Sequence, residues 1–569
     1  MSEISKMLAK TRKNFKKGVR EPEYEIDEIK EIMLPVTDGT KLQTILCFPS
    51  GEGPWPVLFS RTPYSHIEPY YKGVGEEYAK RGYVFVFQFC RGNNKSEGEW
   101  EPNVNERSDG IDSINWLAEQ EWCQGIGIHG VSYMALTGWI IADQLPDKVK
   151  ALYLCHYGVD RYLSAYKDGL FRHDILTGWA MGNAGKKITN DFKKDYIKSA
   201  LYRPHVNVDE DLWGIKLKWY KDWVTNTDYD SEYWQTGFWK MLKDIPGKID
   251  IPTCIVAGWF DHHLEGTILG YELLNDEVKN HSSLLIGAWN HDFEPCIPAH
   301  HHQNAARNMD TVMFNWFEKT LIEDKLPESG VETYIVGDDK WKKWDSLAIE
   351  YDYKKIFFLR GDKFALEGNL KILSLLEVEQ SRNTVIEYRY DPDDPVYTRG
   401  GETNLVSSEQ RGSVLQEEPG YRQDVISFLS GELKEGINIS GKINIKLFVS
   451  SDCEDTCFTA KIIEVLPDGR GFNIRSSITT MAYRNKADKR TYYIPNEIEE
   501  INIEMLPITW HIQTGSRLRI DISSSNFPEY AIHSNYKGVW SLQDKVKVAH
   551  QKLYIGEEYP SLVEIPVIK

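Results

Sequence analysis

The stretch GIGIHGVSYMALTGW, residues 125–139, joins a short strand-like run to a helical pattern through a single serine. IGIHG predicts a buried strand, and the apolar spacing of YMALTGWIIADQ predicts a helix that begins directly after Ser132. A sharp strand-to-helix turn of this kind presents a nucleophilic serine at the edge of an α/β sheet. The usual pattern has glycine two residues after the serine, where this chain has Met134. The letters of the turn alone therefore leave an ordinary strand-end serine as the alternative.

The sequence on both sides of this turn alternates strand-like and helical patterns. PVLFS, YVFVFQ and VKALYLC alternate with GEEYAKRG and DGIDSINWLAEQ, which predicts a parallel sheet with crossover helices. The same alternation resumes at IPTCIVAG (251–258) and SLLIGAW (283–289). We therefore predict one α/β domain in two parts, residues 25–149 and 249–347.

The insertion between these parts, residues 150–248, is rich in lysine, aspartate and aromatic residues. It is predicted to form a helical cap whose apolar faces are built from tryptophan and which lines a pocket. Most of its tryptophans are expected in the core, with one or two facing a substrate. The tryptophans considered are Trp179, Trp213, Trp219, Trp223 and Trp239.

The two ends of the chain have different patterns. Residues 348–569 consist of short alternating segments separated by turn residues, which predicts an all-β jelly roll. Residues 1–24 form a basic N-terminal arm without the apolar core of a secretory signal. We expect this arm to be amphipathic and partly mobile.

Composition excludes several classes of function. A net charge of −18 argues against a nucleic-acid partner, and no apolar run is long enough to cross a bilayer. The eight cysteines are scattered without a disulfide or zinc pattern. We expect a cytoplasmic protein with reduced thiols. It is expected to need no cofactor or metal, and a homodimer is left open.

A serine hydroxyl needs a base within hydrogen-bonding reach and a carboxylate that orients that base. In α/β-hydrolases the chain order is serine, then an acid, then histidine, each after a strand of the sheet. Asp261 follows the strand-like TCIVAG, and His291 follows SLLIGAW. Both therefore fall at carboxyl ends of predicted strands in the required order after Ser132.

Each of these residues has an ordinary structural alternative. Asp261 could cap the helix that follows it. His262 and His263 are adjacent to Asp261 and are expected to line the pocket rather than replace the base. The histidine run at 300–302 lacks the ligand spacing of a zinc site, and His129 is expected to pack at the strand end.

The ordered motifs resemble those of the cocaine-esterase-like serine hydrolases, relatives of the X-prolyl dipeptidyl peptidases and the α-amino acid ester hydrolases. The resemblance covers nearly the whole chain from about residue 30 and implies that the α/β domain is an α/β-hydrolase domain. That family's turn reads G-x-S-Y-x-G, so Met134 is ordinary and the departure is Ala135, a methyl that we expect to be tolerated. The motifs are SRTPY (60–64), RGNNKSEGEW (91–100), GVSY (130–133), GWFD (258–261), GAWNH (287–291), YDPDDPVYTRGG (390–401), DVISFLS (424–430), DTCFTAKIIEVLPDG (455–469) and LRIDISSSNFPEY (518–530).

The resemblance implies a role for each matching residue. Ser132 would be the nucleophile, His291 the general base and then acid, and Asp261 the residue that orients His291. The hydroxyl of Tyr64 and the backbone N–H of Tyr133 would form the oxyanion hole. A preorganised donor of this kind contributes a factor of about 10²–10³ to turnover.

The leading functional hypothesis is hydrolysis of a small-molecule carboxylic ester or amide through an acyl-enzyme on Ser132. The first alternative is an X-prolyl dipeptidyl or α-amino-acyl hydrolase, which needs carboxylates near the serine to bind an ammonium group. Asp261 is followed by two histidines and a leucine, with Glu265 the first acid, which counts against that alternative. The second alternative is an inactive hydrolase fold that acts as a binding protein.

Overall fold

The computed structural model describes residues 3–183, 191–298, 302–345, 351–363, 372–377, 382–403 and 411–569. Its first part is an α/β domain with a ten-stranded mixed sheet, and its last part is all β, as predicted. The strands of the first part are β1 (Ile26–Pro35), β2 (Lys41–Pro49), β3 (Trp55–Thr62), β4 (Val84–Phe89), β5 (Cys123–Val131), β6 (Val149–Cys155), β7 (Tyr166–Lys167), β8 (Leu170–Phe171), β9 (Thr253–Gly258), β10 (Ser283–Gly287), β11 (Gly330–Ile335) and β12 (Lys340–Trp344). The helices are α1 (Glu3–Asn14), α2 (Glu68–Ala79), α3 (Glu106–Glu119), α4 (Tyr133–Trp139), α5 (Arg161–Ala165), α6 (His173–Asn183), α7 (Phe192–Ala200), α8 (Val208–Asp211), α9 (Lys218–Thr225), α10 (Glu232–Gln235), α11 (Gly237–Asp244), α12 (Leu264–Glu272), α13 (Asp276–Lys279) and α14 (Met309–Phe317).

The ten-stranded sheet has the order β1-β2-β4-β3-β5-β6-β9-β10-β11-β12. Its central pairs from β4 to β11 are parallel, and the pairs at both edges are antiparallel. The β-branched and aromatic residues of β4 are buried along its whole length, as expected for a parallel strand covered on both faces. Parallel order brings the carboxyl ends of β5, β6, β9 and β10 to one edge of the sheet, where an open α/β sheet binds its ligand.

The helical insertion begins slightly later than the predicted interval 150–248, because Val149–Cys155 is strand β6 of the sheet. Helices α5 to α11 follow, with the short strands β7 and β8 between α5 and α6, and we call this segment the cap. The cap's core is aromatic: Trp213, Trp223 and Trp239 are buried, while Trp179 and Trp219 are half-buried. Most of the tryptophans considered from the sequence therefore pack inside the cap.

The last part of the chain, which we call the all-β domain, contains thirteen strands within the described residues. Most of its pairs are antiparallel, and β14 and β16 pair in parallel. The strands are β13 (Tyr353–Lys363), β14 (Leu373–Leu376), β15 (Thr384–Tyr390), β16 (Ile426–Ser430), β17 (Ile437–Gly441), β18 (Asn444–Ser451), β19 (Cys457–Val465), β20 (Gly471–Thr480), β21 (Glu499–Glu504), β22 (Ile508–Ile512), β23 (Arg517–Ser523), β24 (Ala549–Ile555) and β25 (Leu562–Val567).

Hydrogen bonds join the all-β domain to the second part of the α/β domain and to the cap. The backbone of Val336, just after β11, pairs with β22, where His511 N donates to Val336 O at 2.7 Å. In the cap, Phe171 O accepts from Ala531 N at 2.8 Å. Val224 O accepts from the Ser541 hydroxyl at 2.7 Å.

The N-terminal arm docks on the α/β domain through α1, which packs against α2 and α14. Phe15 is buried, with ring centroids 5.2 Å from Tyr78 and 6.0 Å from Phe314. Asn14 Nδ2 donates to Asp310 Oδ2 at 2.8 Å. The eight cysteines are all unpaired, and in the described ranges no helix combines the length and apolarity that crossing a membrane requires.

Candidate active site

Ser132 lies between β5 and α4 with φ of 59° and ψ of −130°, a conformation that is costly for a residue with a side chain. The surrounding backbone holds this turn. Ser132 N donates to Cys155 O of β6 at 2.9 Å, and Ser132 O accepts from Ala135 N at 2.8 Å. Strained serines of this kind are found at strand-to-helix turns that expose a reactive hydroxyl.

Two small residues allow α4 to pack closely on β5. A Cβ atom added to Gly130 would lie 2.2 Å from the carbonyl oxygen of Met134, so a larger residue cannot fit without moving the turn. Ala135, where the resembled family has glycine, is fully buried. Its methyl group is accommodated within this packing.

Asp261 follows β9 and His291 follows β10, and the two side chains meet. His291 Nδ1 lies 2.5 Å from Asp261 Oδ2. Both residues are held at the edge of the sheet that also carries Ser132. The structure thus brings together the acid and the histidine that the sequence order singled out.

Asp261 does not cap α12, the structural alternative considered from the sequence, but it does hold the turn that leads into that helix. Its Oδ1 accepts from His263 N at 2.6 Å, while its Oδ2 is the atom bonded to His291. The N-cap residue of α12 is His263, which makes no capping bond with its side chain. The two uses of the carboxylate therefore coexist, one on each oxygen.

The ion pair polarises both partners. Burial by itself would raise the pKa of Asp261, but the neighbouring His291 outweighs it and holds the pKa of that carboxyl well below its usual range. Burial likewise opposes the charged form of His291, but the Asp261 charge and hydrogen bond raise the pKa of His291 above its ordinary value. Asp261 is thus a carboxylate at neutral pH, and His291 is a stronger base than a free imidazole.

Tyr64 and Ser132 line the same cavity. Trp179 Nε1 donates to the Tyr64 hydroxyl at 3.1 Å. Because Trp179 occupies an acceptor site on that oxygen, the Tyr64 proton is free to be donated elsewhere. Burial raises the pKa of Tyr64 to about 12, so the hydroxyl keeps its proton.

Tyr133 is the first residue of α4, where a backbone N–H has no acceptor within the helix. Its own side chain is fixed, because the Tyr133 hydroxyl donates to Glu106 Oε1 at 2.6 Å and accepts from Asn103 N at 2.9 Å. The Tyr133 ring stacks on Trp179, with centroids 5.8 Å apart. This network anchors the beginning of α4 beside Ser132.

A cavity of about 480 Å³ opens onto these groups and is lined by Ser132, Tyr64 and His291. Its volume is in the range of sites for small organic ligands. Two cap tryptophans, Trp179 and Trp223, form part of its wall, which makes these two the candidates for the tryptophans expected to face a substrate. His262, His263, Tyr133, Tyr157 and Arg161 also line it.

His156 is a residue at this site that sequence reasoning missed. Its Nδ1 donates to His291 O at 2.8 Å and lies 3.5 Å from Asp261 Oδ2. Burial lowers the pKa of His156 to about 4, so it is neutral. It directly follows β6, and the strand-end rule that selected Asp261 and His291 would also have selected it.

His156, Asp261 and His291 bring their potential ligand atoms within 4.8 Å of one another, as in a metal site. The Nδ1 atoms of both histidines already have hydrogen-bond acceptors, His291 O for one and Asp261 Oδ2 for the other. Hydrogen bonding therefore accounts for this cluster without a metal.

Other histidines considered from the sequence lie elsewhere. His129 is buried against Phe85, with its pKa lowered to about 4 by burial, as expected for a packed strand-end residue. His302 Nδ1 lies 2.8 Å from the Tyr334 hydroxyl. His300 and His301 are outside the described residues.

The first acid after Asp261 does not reach the cavity. Glu265 Oε1 accepts from Lys442 Nζ of the all-β domain at 2.5 Å. Glu265 lines a separate cavity of about 690 Å³ between α12 and that domain. It supplies no carboxylate to the site around Ser132.

Comparison with known proteins shows which proteins the chain is similar to. Residues 38–292 match the X-Pro dipeptidyl-peptidase (S15 family), and residues 380–564 match the X-Pro dipeptidyl-peptidase C-terminal non-catalytic domain. The cocaine esterase of Rhodococcus sp. (strain MB1 Bresler) is 28% identical over 571 residues, which cover 95% of this chain and 98% of that protein. The chain is therefore a hydrolase with an S15-type catalytic domain, and it is similar to a cocaine esterase over nearly its whole length.

Solved structures agree with the fold of an S15 hydrolase. An aminopeptidase from a marine sediment archaeon, Thaumarchaeota archaeon, superimposes with a TM-score of 0.80 at 20% identity, covering 97% of this chain and 98% of that one. An α-amino acid ester hydrolase gives a TM-score of 0.80 at 19% identity, covering 96% and 97%. Both similarities extend over the α/β domain, the cap and the all-β domain.

Proposed function

We propose that this S15 hydrolase cleaves a carboxylic ester, and more slowly an amide, through an acyl-enzyme on Ser132. The observation that carries the proposal is the convergence on one cavity of a strained serine, a histidine bonded to a buried carboxylate and a tyrosine hydroxyl with a free proton. Each group has a distinct part in acyl transfer.

In the first half of the reaction the Ser132 oxygen attacks the substrate carbonyl carbon while His291 Nε2 takes the serine proton. The oxyanion that forms accepts hydrogen bonds from the Tyr64 hydroxyl and the Tyr133 backbone N–H. His291 then gives its proton to the leaving group, whose bond to the acyl carbon breaks. Asp261 stabilises the imidazolium and keeps the proton of Nδ1 directed to itself.

In the second half, water replaces the leaving group. His291 takes a proton from the water as it attacks the acyl carbon, and the Ser132 oxygen leaves with that proton. Tyr157, Trp179 and Trp223 give the cavity wall a mainly apolar, aromatic character, which suits an aryl or alkyl group on either side of the ester.

The match to the S15 peptidases favours a second candidate, cleavage of an X-Pro or α-amino-acyl bond. Such a substrate carries an ammonium group, which binds where carboxylates are available. Among the described lining residues the only carboxylate is Asp292, which is already in an ion pair with Arg411. The charge of the cavity therefore favours the ester hydrolase.

The test is the change of Ser132 to alanine, with phenyl acetate and a fluorophosphonate probe as reporters. We expect Ser132→Ala to lose kcat by about 10⁴-fold or more and to lose labelling, because the attacking atom is absent. Ser113→Ala is the matched control: Ser113 is buried in α3, and its hydroxyl donates to Asp109 O at 2.7 Å, away from the cavity. Full activity or full labelling in Ser132→Ala would exclude Ser132 as the nucleophile, whereas a wild-type protein that neither hydrolyses phenyl acetate nor takes up the probe would support the binding-protein alternative. An X-Pro anilide cleaved faster than phenyl acetate would instead support the peptidase.

A further inference from the structure

A buried guanidinium faces the same cavity as Ser132. Arg161 is the first residue of α5, and its side chain lines the cavity while remaining nine-tenths buried, with 7% exposed. Its Cζ lies 4.6 Å from the ring centroid of Trp223 and 5.9 Å from that of Tyr157. Arginine keeps its charge at any ordinary pH, so the cavity contains a fixed positive charge.

This charge has no counterion among the described residues. Arg161 forms no ion pair or hydrogen bond there, and its Nε is buried without a partner. The adjacent carboxylate, Asp160, is engaged elsewhere: it accepts from Lys243 Nζ at 2.9 Å and from the Tyr229 hydroxyl at 3.0 Å. An uncompensated buried charge is costly, so its retention requires an explanation.

Other titratable groups around the cavity do not neutralise Arg161. His262 and His263 have pKa values well below the ordinary range, first because they are buried and also because Arg161 is nearby. Both are therefore neutral. Asp292 is mostly exposed at the rim and pairs with Arg411.

Stacking on Trp223 and Tyr157 satisfies only the faces of the guanidinium. The N–H groups point outward in the plane of the guanidinium, and this edge matches the two oxygens of a carboxylate. A purely structural arginine would be expected to bond its N–H groups to protein acceptors, as Arg475 does with Glu402 and Pro507 O. The N–H edge of Arg161 is left without one.

We propose that the substrates of this hydrolase carry a carboxylate, which Arg161 binds while the scissile carbonyl lies at Ser132. This inference rests on the proposed function and adds the chemical class of its substrate. It also gives a physical reason for the exclusion of α-amino-acyl substrates, because their ammonium group would be repelled by Arg161.

The experiment compares esters that differ only in this charge. On the leaving-group side the pair is 4-acetoxybenzoate and 4-acetoxybenzamide, and on the acyl side it is monophenyl adipate and phenyl hexanoate. The readout is the ratio of kcat/KM for the anionic ester to that for the neutral ester, measured in the wild type and in Arg161→Met. Intrinsic reactivity and any general damage to the enzyme cancel when the two ratios are compared.

We expect Arg161→Met to lower this ratio by about 10- to 100-fold for at least one pair, the strength of a charge-assisted hydrogen bond. Arg161→Lys should restore part of it. Arg172→Met is the matched control, because Arg172 is also a buried arginine stacked on an aromatic ring, that of Tyr530, but is not among the residues that line the cavity. Its ratio should equal that of the wild type. Equal ratios in Arg161→Met and wild type for both pairs would overturn the proposal.

Binding measurements separate this proposal from the hydrolytic mechanism. In Ser132→Ala, calorimetry should show benzoate and adipate binding more tightly than benzamide and hexanamide, whether or not Ser132 is the nucleophile. If Arg161→Met does not fold, the inhibition constants of these four compounds for the wild-type enzyme test the proposal instead. Carboxylates that bind no more tightly than the neutral amides would refute the role of Arg161 and leave the Ser132 test unaffected.

Discussion

Replacing Asp261 by asparagine is expected to lower kcat by about 10⁴-fold while leaving the fold intact. The reason lies in the separate use of the two carboxylate oxygens. Oδ1 accepts from His263 N at 2.6 Å, and only the oxygen of an asparagine amide can remain there. The amide NH₂ group must then face His291 Nδ1, which in the native protein lies 2.5 Å from Oδ2.

Two donors cannot bond to each other, so His291 would move its proton from Nδ1 to Nε2. The imidazole would then present a donor to Ser132 and could not accept the serine proton, as in other triads with this change. The substitution also removes the attraction between carboxylate and imidazolium. For unit charges about 4 Å apart and an effective dielectric constant of about 20, that attraction is about 4 kcal/mol, or about 10³-fold in rate. The loss of the correct tautomer supplies the remaining factor.

The assay is the pH profile of kcat/KM with phenyl acetate. His291 must be neutral to accept a proton, and Asp261 raises the pKa of His291. Wild-type activity should therefore rise with pH through a pKa above the ordinary value of histidine, and in Asp261→Asn this acid limb should move to lower pH. Unchanged circular dichroism and Tm would show that the bond to His263 N persists.

Asp292→Asn is the control, since Asp292 also raises the pKa of His291 but is a lesser contributor and pairs with Arg411 at the rim. A far smaller loss of kcat and a smaller shift of the limb are expected. Asp261→Asn with kcat within about tenfold of the wild type and an unmoved acid limb would refute this reasoning. Asp261 would then be a residue of the turn before α12 only.

Two further predictions concern the oxyanion hole and the serine turn. Tyr64→Phe should lower kcat by about 10²–10³-fold with little change in KM, because the hydroxyl donates mainly in the transition state. The control is Tyr70→Phe, which removes a hydroxyl bonded to Thr11 at 3.2 Å. Equal kcat values in the two variants would contradict the role of Tyr64. Gly130→Ala should lose about 2 kcal/mol of stability or more, seen as a lower Tm by calorimetry, since its Cβ would lie 2.2 Å from Met134 O. Gly330→Ala, where nothing lies within 4 Å of the added atom, should leave Tm nearly unchanged, and a similar Tm in both variants would show that the turn tolerates a side chain.

The sequence was sufficient to predict the sheet and the convergence of Ser132, Asp261 and His291, because each follows a strand whose pattern is local. Parallel topology then requires their positions to share one edge. The predicted start of the cap at residue 150 was too early, because VKALYLC (149–155) is a strand of the sheet.

What the sequence did not predict depends on long-range packing. The position of the Arg161 guanidinium in the cavity depends on stacking with Trp223, which is 62 positions away in another cap helix. No local pattern marks a guanidinium that lacks a counterion. The two uses of Asp261 were similarly treated as competing, because sequence spacing does not resolve the two oxygens of one carboxylate.

The hydrogen bonds between the cap and the all-β domain affect how substrate reaches Ser132. Phe171 O and Val224 O lie in different parts of the cap, and both accept hydrogen bonds from the all-β domain. An outward movement of the cap would therefore break its hydrogen bonds to the all-β domain as well as its contacts with the sheet. We therefore expect the all-β domain to hold the cap in place, so that substrate and product enter and leave through a permanent opening. The width of that opening, rather than the rate at which the cap moves, would then set the selectivity.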